Sequence, residues 1–268
     1  MSESNRTGIW RWQTGTAPSR EIDELASEEP LEIRVGDRAV SVTMRTPGHD
    51  AELAAGFLLS EGLIRGCNDV RAMTPARSDP SCNVINVELA PGVGIDFERL
   101  TRHVFASSSC GVCGKATIAA VHQHFPPVTS DLVIDAAMLL DLPSRSRAAQ
   151  RAFDRTGGLH AAAVFDAQGE LIVLREDVGR HNAVDKVLGF GLCNGIFPFD
   201  RHVLLVSGRS SFEIMQKALA GRVPIVAAVS APSSLAVRFA EESGQTLIGF
   251  LRGARMNVYA SPQRVRFE

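Results

Sequence analysis

The chain has 268 residues, 45% of them hydrophobic and 22% charged, with a formal net charge of −2. This length and apolar content suit one large domain or one domain with a smaller companion, and the near-neutral charge excludes bulk electrostatic attraction to nucleic acid or an anionic membrane. The longest apolar runs are strand-sized and the N-terminus, MSESNRTGIWRWQTG, has no apolar stretch, so neither a transmembrane helix nor a secretory signal is expected and the protein is assigned to the cytoplasm.

Residues 1–30 are polar and acidic with little periodicity, which predicts a flexible lead-in. Residues 31–100 are expected to form a small α+β unit. Within it, LEIRVGDRAVSVTM carries two alternating runs joined at Gly36-Asp37, the pattern of a hairpin. DAELAAGFLLSEGLI has helical spacing, with Asp50 as N-cap and Leu53, Phe57 and Leu58 on the inner face, and NVINVEL is a short strand. Residues 101–130 hold the Cys-x-x-Cys stretch SSSCGVCGK and the helical run KATIAAVHQHF. A longer helix is expected from Asp135 to Phe153, broken around Leu142-Pro143.

Residues 131–268 have the clearest order. LHAAAVFD and LIVLREDV are strands joined by Ala167-Gln168-Gly169-Glu170 as a hairpin. Helix HNAVDKVLGF leads to strand HVLLVSG, helix SFEIMQKALAG to strand PIVAAVS, and helix SLAVRFAEES to strand TLIGFLR, with MNVYA as a last strand. Alternating helices and continuous apolar strands predict an α/β fold: a mixed, largely parallel sheet with helices on both faces.

Open α/β sheets bind ligands at the carboxyl ends of their parallel strands. The loops leaving these strands are EDVGRHN, SGRSS, SAPSS and RGAR, and the start of the antiparallel first strand, TGGLH, falls at the same edge. They carry Arg180, Arg209, Arg252 and Arg255, with His160 and His181, and Ser207, Ser210, Ser211, Ser230, Ser233 and Ser234; Gly208 and its neighbours let a ligand approach the backbone. SGRSS and SAPSS precede helices, whose free N–H groups favour an anion, and arginine adds further donors, so the chemistry suits phosphate groups. The bland alternative is that these serines and glycines are ordinary caps and turns. Glu176 and Asp177 are expected to pair with nearby arginines rather than to act as acid and base.

Five cysteines at irregular spacing, Cys67, Cys82, Cys110, Cys113 and Cys193, do not form a disulfide framework. In Cys110-x-x-Cys113 a structural zinc site lacks its second pair: His122 and His124 follow at an unfamiliar spacing, and His160 is remote. Zinc nucleobase deaminases need a glutamate where Ala162 stands and a proline before the first cysteine, so no metal is expected. A dithiol redox pair and an inert pair stay open. Gly111 and Gly114 around the thiols, with Lys115 to favour the thiolate, fit a mobile nucleophilic carrier, whose cargo these residues do not name. Cys67, Cys82 and Cys193 are expected to be buried as small apolar groups.

CGVCG, TGGLHAAAVFD, REDVGRHNAVDKVLG, SGRSSFEIMQKALAGRVPIVAAVSAPSSLAV and LIGFLRGARMNVY together resemble the formate dehydrogenase accessory sulfurtransferase (FdhD) family, and AAGFLLSEGLI resembles its N-terminal part. The resemblance runs from about residue 30 to the C-terminus. It implies a cytidine deaminase-like core and a homodimer. It also implies a carrier that takes sulfane sulfur from a cysteine desulfurase as a cysteine persulfide and passes it to the bis-molybdopterin guanine dinucleotide cofactor of formate dehydrogenase. The persulfide-bearing cysteine maps onto Cys110 and the second of the pair onto Cys113. The family's cofactor segment maps onto Phe250, Leu251, Arg252, Gly253, Ala254 and Arg255, and its pocket for the guanine nucleotide agrees with the phosphate-binding edge. The competing class is a chaperone that binds the molybdenum cofactor while its cysteines carry no sulfur.

Overall fold

The computed structural model describes residues 2–36, 38–76, 79, 81–94, 121–122 and 124–267. Its first element is a hairpin of β1 (Ser4–Arg11) and β2 (Ser19–Ala26), paired from Ser4↔Ala26 to Arg11↔Ser19. This corrects the flexible lead-in expected for residues 1–30. Arg6 stands opposite Glu24, and the Arg20 guanidinium lies 5.2 Å from the centre of the Trp10 ring across the strands. Arg155, far along the chain, holds Glu24 at 2.9 Å and Glu3 at 3.4 Å. Cross-strand pairs and a remote arginine stabilise what local hydropathy does not announce.

β3 (Glu29–Val35) and β4 (Arg38–Arg45) form the expected second hairpin, followed by helix α1 (Asp50–Ser60), β5 (Val70–Pro75) and β6 (Val84–Leu89). The four strands make a sheet of order β4-β3-β6-β5, with β3 and β6 parallel. Helix α1 buries Leu53 and Leu58 and half-buries Phe57, the inner face read from the sequence. Its cap differs: His49 (φ 59) precedes the helix and Asp50 is its first residue. The Asp50 carboxylate is taken by the buried Arg45 guanidinium, which donates from Nε at 2.9 Å and Nη2 at 3.0 Å, so it is not free to cap.

Val121, His122 and His124 are helical, as expected, and most of the rest of that run lies outside the described residues. β7 (Ile134–Asp135) leads into α2 (Ala136–Ala149) and α3 (Arg151–Thr156). Pro143 sits inside α2, and the break falls at Gln150 instead of Leu142-Pro143. The cause is long-range. The Glu176 carboxylate accepts from the Ala152 and Phe153 N–H groups at 2.9 and 2.7 Å, which starts a new helix at Arg151.

The core follows: β8 (His160–Phe165), β9 (Leu171–Asp177), α4 (Arg180–Cys193), β10 (Val203–Val206), α5 (Phe212–Ala220), β11 (Ile225–Ala228), α6 (Ser234–Glu242), β12 (Thr246–Arg252) and β13 (Arg255–Ala260). A last strand, β14 (Val265–Arg266), pairs with β7. The six-stranded sheet has the order β13-β12-β11-β10-β8-β9. β10, β11 and β12 are parallel, while β8, β9 and β13 pair antiparallel at its flanks. The fold is mixed α/β, with the parallel part confined to the three crossover-linked strands. One face packs Val164, Leu204 and Val226 against α4, α5 and α6, in a core continuous with Leu31, Ile33 and Leu58. The other packs Phe165, Leu205 and Ile248 against Leu139 and Leu142 of α2. Among the described residues, no helix is long and apolar enough to cross a membrane.

Helices α1 and α4 cross at glycines. A methyl on Gly56 would stand 1.8 Å from the Asp185 carbonyl oxygen, and one on Gly189 would stand 1.8 Å from that of Glu52. The three cysteines expected to be buried, Cys67, Cys82 and Cys193, are exposed instead. Cys67 and Cys82 sit in chain reversals among polar residues, and Cys193 ends α4.

Candidate functional site

The carboxyl ends of β10, β11 and β12 bring most of the predicted ligand loops side by side. Ser207 leaves β10 beside the start of β8. It donates its N–H to the Ala161 carbonyl at 2.9 Å, and its Oγ accepts from the Ala161 N–H at 2.9 Å. The antiparallel pairing of β8 with β10 thus carries His160 to this edge. Gly208 lies against His160 and Arg180: a methyl there would stand 3.3 Å from His160 Nδ1 and 3.8 Å from Arg180 Cδ. Arg180 and His181 open α4, and His181 Nε2 lies 3.4 Å from both Ser211 Oγ and Glu213 Oε2 of α5.

Serine caps organise the next two loops. Ser211 caps α5 by accepting from the Ile214 N–H, and Ser233 caps α6 by accepting from Ala236 N–H at 3.2 Å. Ser210 pairs with Pro232 as an isolated parallel bridge, and the Ser210 carbonyl accepts the Ser233 N–H at 3.0 Å. The starts of α5 and α6 are therefore locked together. The Ser230 carbonyl accepts the Phe250 N–H at 3.0 Å, joining β12 to the same row. Phe250 takes φ 52 there, and Gly249 before it has no room for a side chain, since a methyl would meet Pro232 at 2.8 Å.

Two buried polar atoms on this edge, Arg180 Nε and Ser210 Oγ, have no partner among the described residues. Buried polar groups are normally satisfied, so such orphans point to a missing ligand or water. Both histidines are held below their ordinary pKa. Burial lowers His160, with the Arg180 charge adding to it. Burial, then Arg180 and Lys217, bring His181 to about 4. At neutral pH both are uncharged hydrogen-bonding groups, and the positive charge of the edge resides on Arg180 and the exposed Arg209.

The β12–β13 tip is more exposed. Arg252 faces Arg255 across the turn, with Gly253 at φ 58 and Ala254 between them, and the Arg252 guanidinium lies 5.6 Å from the Phe250 ring centre. Leu251, expected to hold the cofactor, is instead wholly buried in the same core as Ile248: the positive φ of Phe250 and the register shift between Gly249 and Arg252 interrupt the strand's alternation and turn it inward, so its side chain is not offered to a ligand. Cys110 and Cys113 lie outside the described residues.

Glu176 and Asp177 do not pair with arginines as expected. Glu176 caps α3, and Asp177 makes a buried ion pair with Lys186 at 2.7 Å. A second buried pair, Asp185 with Lys217 at 2.8 Å, takes in Ser60 of α1. Reasoning from loops missed these residues. Their signal is local all the same: Asp185 and Lys186 interrupt the otherwise apolar run AVDKVLGF, and charges on a buried helix need partners. A cleft of about 520 Å³ lies elsewhere, along β9 and lined by Arg145, Arg151, Leu171, Arg175 and Phe190.

Known proteins share this architecture and sequence. The sulfur carrier protein FdhD of Streptomyces avermitilis is 50% identical, over 98% of this chain and 95% of that protein. The protein of the same name from Mycolicibacterium paratuberculosis is also 50% identical, over 99% of this chain and 100% of its own length, and that of Thermoplasma volcanium is 43% identical over 91% and 89%. A crystal structure from Desulfotalea psychrophila, of a protein assigned as a formate dehydrogenase accessory protein, superposes with a TM-score of 0.78 at 24% identity, covering 99% of this chain and 100% of that one. That likeness carries the fold alone. Residues 26–266 match the FdhD/NarQ family, and with half the positions identical across nearly the whole of several relatives, this chain belongs to that family.

Proposed function

We propose that the protein is a cytoplasmic, homodimeric sulfur carrier that serves formate dehydrogenase maturation by delivering sulfur to a bis-molybdopterin guanine dinucleotide. The observation that carries the cofactor half of this reading is the pair of orphaned buried atoms, Arg180 Nε and Ser210 Oγ, on an edge where two helices begin. The edge fits the nucleotide and phosphate part of that substrate. Arg180 and Arg209 supply charge, the α5 and α6 N-termini supply N–H groups, and Gly208, having no side chain, lets His160 and Arg180 pack closely against the backbone of this loop. Phe250, Arg252 and Arg255 extend the row.

The sulfur half rests on Cys110 and on the family. The Cys110 thiolate attacks the outer sulfur of the desulfurase persulfide, and the desulfurase cysteine leaves as a thiolate. Attack by the Cys113 thiolate on the inner sulfur of the Cys110 persulfide then breaks the S–S bond. The outer sulfur departs as sulfide to the metal of the substrate. A Cys110–Cys113 disulfide remains, which a thiol reductant resets.

Incubation with a cysteine desulfurase and cysteine, followed by intact-mass spectrometry, tests this. The wild-type chain gains the mass of one sulfur atom and Cys110→Ala does not. A wild-type chain that gains none while still binding the molybdenum cofactor is a chaperone, and the carrier reading fails.

A further inference from the structure

Residues 43–46, at the end of β4, grip the turn that presents Arg180 and His181. The wholly buried Asp177 carboxylate lies at the centre. Its Oδ1 accepts from the Gly179 N–H at 2.8 Å and from Asn182 Nδ2 at 3.1 Å; its Oδ2 accepts from the Thr46 N–H at 3.1 Å and pairs with Lys186 Nζ at 2.7 Å. Lys186 Nζ also donates to the Thr46 carbonyl at 2.9 Å. Thr46 Oγ1 accepts the Val178 N–H at 3.1 Å and donates to the Ser27 carbonyl at 3.1 Å. Asn182 Nδ2 donates to the Met44 carbonyl at 2.7 Å, and Asn182 Oδ1 accepts from Thr43 Oγ1 at 3.2 Å. Every residue from Asp177 to Asn182 except Arg180 and His181 is thus held by its backbone N–H or side chain in this network.

A buried ion pair contributes little net stability, because desolvation offsets its attraction, and an apolar pair of similar size often replaces it without loss of stability. The use of this pair is therefore geometric. It fixes the turn while leaving free the two side chains that face Gly208 and Ser211. We propose that Asp177, held by Lys186 and Thr46, is the positioning residue of the ligand edge, setting Arg180 for the phosphates of a guanine nucleotide. This inference rests on the nucleotide-binding reading above.

The experiment measures GDP affinity by calorimetry and thermal stability on the same full-length samples: wild type, Arg180→Gln, the paired replacement Asp177→Leu with Lys186→Met, and the combination of all three. The paired replacement leaves the Gly179 and Thr46 N–H groups without their acceptor, so it is expected to melt below wild type while still folding, and to bind GDP at least tenfold more weakly. Adding Arg180→Gln to it should cost little more, because the two changes act through one side chain. Should the paired variant fail to fold, Thr46→Val removes only the hydroxyl that takes the Val178 N–H, and a severalfold loss of affinity is expected. Unchanged affinity in these variants while Arg180→Gln weakens binding overturns the positioning role and leaves the nucleotide edge standing. Losses that simply add to that of Arg180→Gln overturn it as well. A wild-type chain that does not bind GDP overturns both.

Discussion

His181 shows how placement rewrites a side chain's chemistry. In the sequence it follows Arg180 in a predicted ligand loop, a natural candidate for an anion-binding cation. In the fold, burial first and the Arg180 charge second bring its pKa to about 4, so it is neutral at pH 7 and acts through Nε2 toward Ser211 and Glu213. The sign of the linked stability follows. A histidine whose folded pKa lies below its unfolded value of 6.5 contributes stability that is complete above 6.5 and is lost as pH falls toward 4. The denaturant midpoint is therefore expected to fall across that interval, and His181→Gln to flatten this part of the profile. A profile unchanged by the substitution contradicts the assigned shift. The orphaned Arg180 Nε is the complementary case: a group whose type was legible and whose missing partner only the fold reveals.

At the scale of elements, the crossing of α1 and α4 decides how the N-terminal sheet meets the core. Gly56 and Gly189 are unremarkable in the sequence, and helix propensity alone favours alanine by about 1 kcal/mol at each. Their contact is with backbone, at 1.8 Å for an added methyl, and backbone cannot rotate away. Gly56→Ala must push the helices apart, at a cost of about 3 kcal/mol or more, which outweighs the propensity gain. A drop in Tm of at least about 4 °C is expected, whereas Gly8→Ala in β1, where nothing lies within 4 Å, should leave Tm nearly unchanged. The same scale explains the relocated break after α2. Pro143 is tolerated within the helix, and a carboxylate from β9 starts the next helix at Arg151.

Across the whole molecule, Glu52 joins α1 to the large sheet. Arg175 of β9 donates to it from Nε at 2.6 Å and from Nη2 at 2.8 Å, and the guanidinium lies 5.0 Å from the Phe190 ring centre. Burial alone raises the Glu52 pKa, but the Arg175 fork and His49 outweigh it and bring it to about 2. With a folded pKa below its unfolded 4.5, Glu52 contributes stability that is present above 4.5 and is lost as pH falls toward 2. Acid unfolding followed by circular dichroism should show this loss, and Glu52→Gln should remove it by lowering stability at neutral pH. An unaltered acid limb in that variant refutes the role.

The sequence by itself determined the strand and helix order of the core, the hairpin of β8 and β9, and the edge at which Ser207, Ser230 and the α5 and α6 caps gather. Each of these is written in local periodicity, turn residues and capping chemistry, and the family was legible in motifs running through the same loops. Only the tertiary structure decided the ordered N-terminal hairpin, the exposure of Cys67, Cys82 and Cys193, the burial of Leu251, and the partners of Glu176 and Asp177. Several of these outcomes depend on groups far apart in the chain, such as Arg155 with Glu24, Thr46 with Asp177, or Glu176 with Ala152. The free energy of such a contact comes from burial and hydrogen bonding, which exist only once the chain has brought the two groups together.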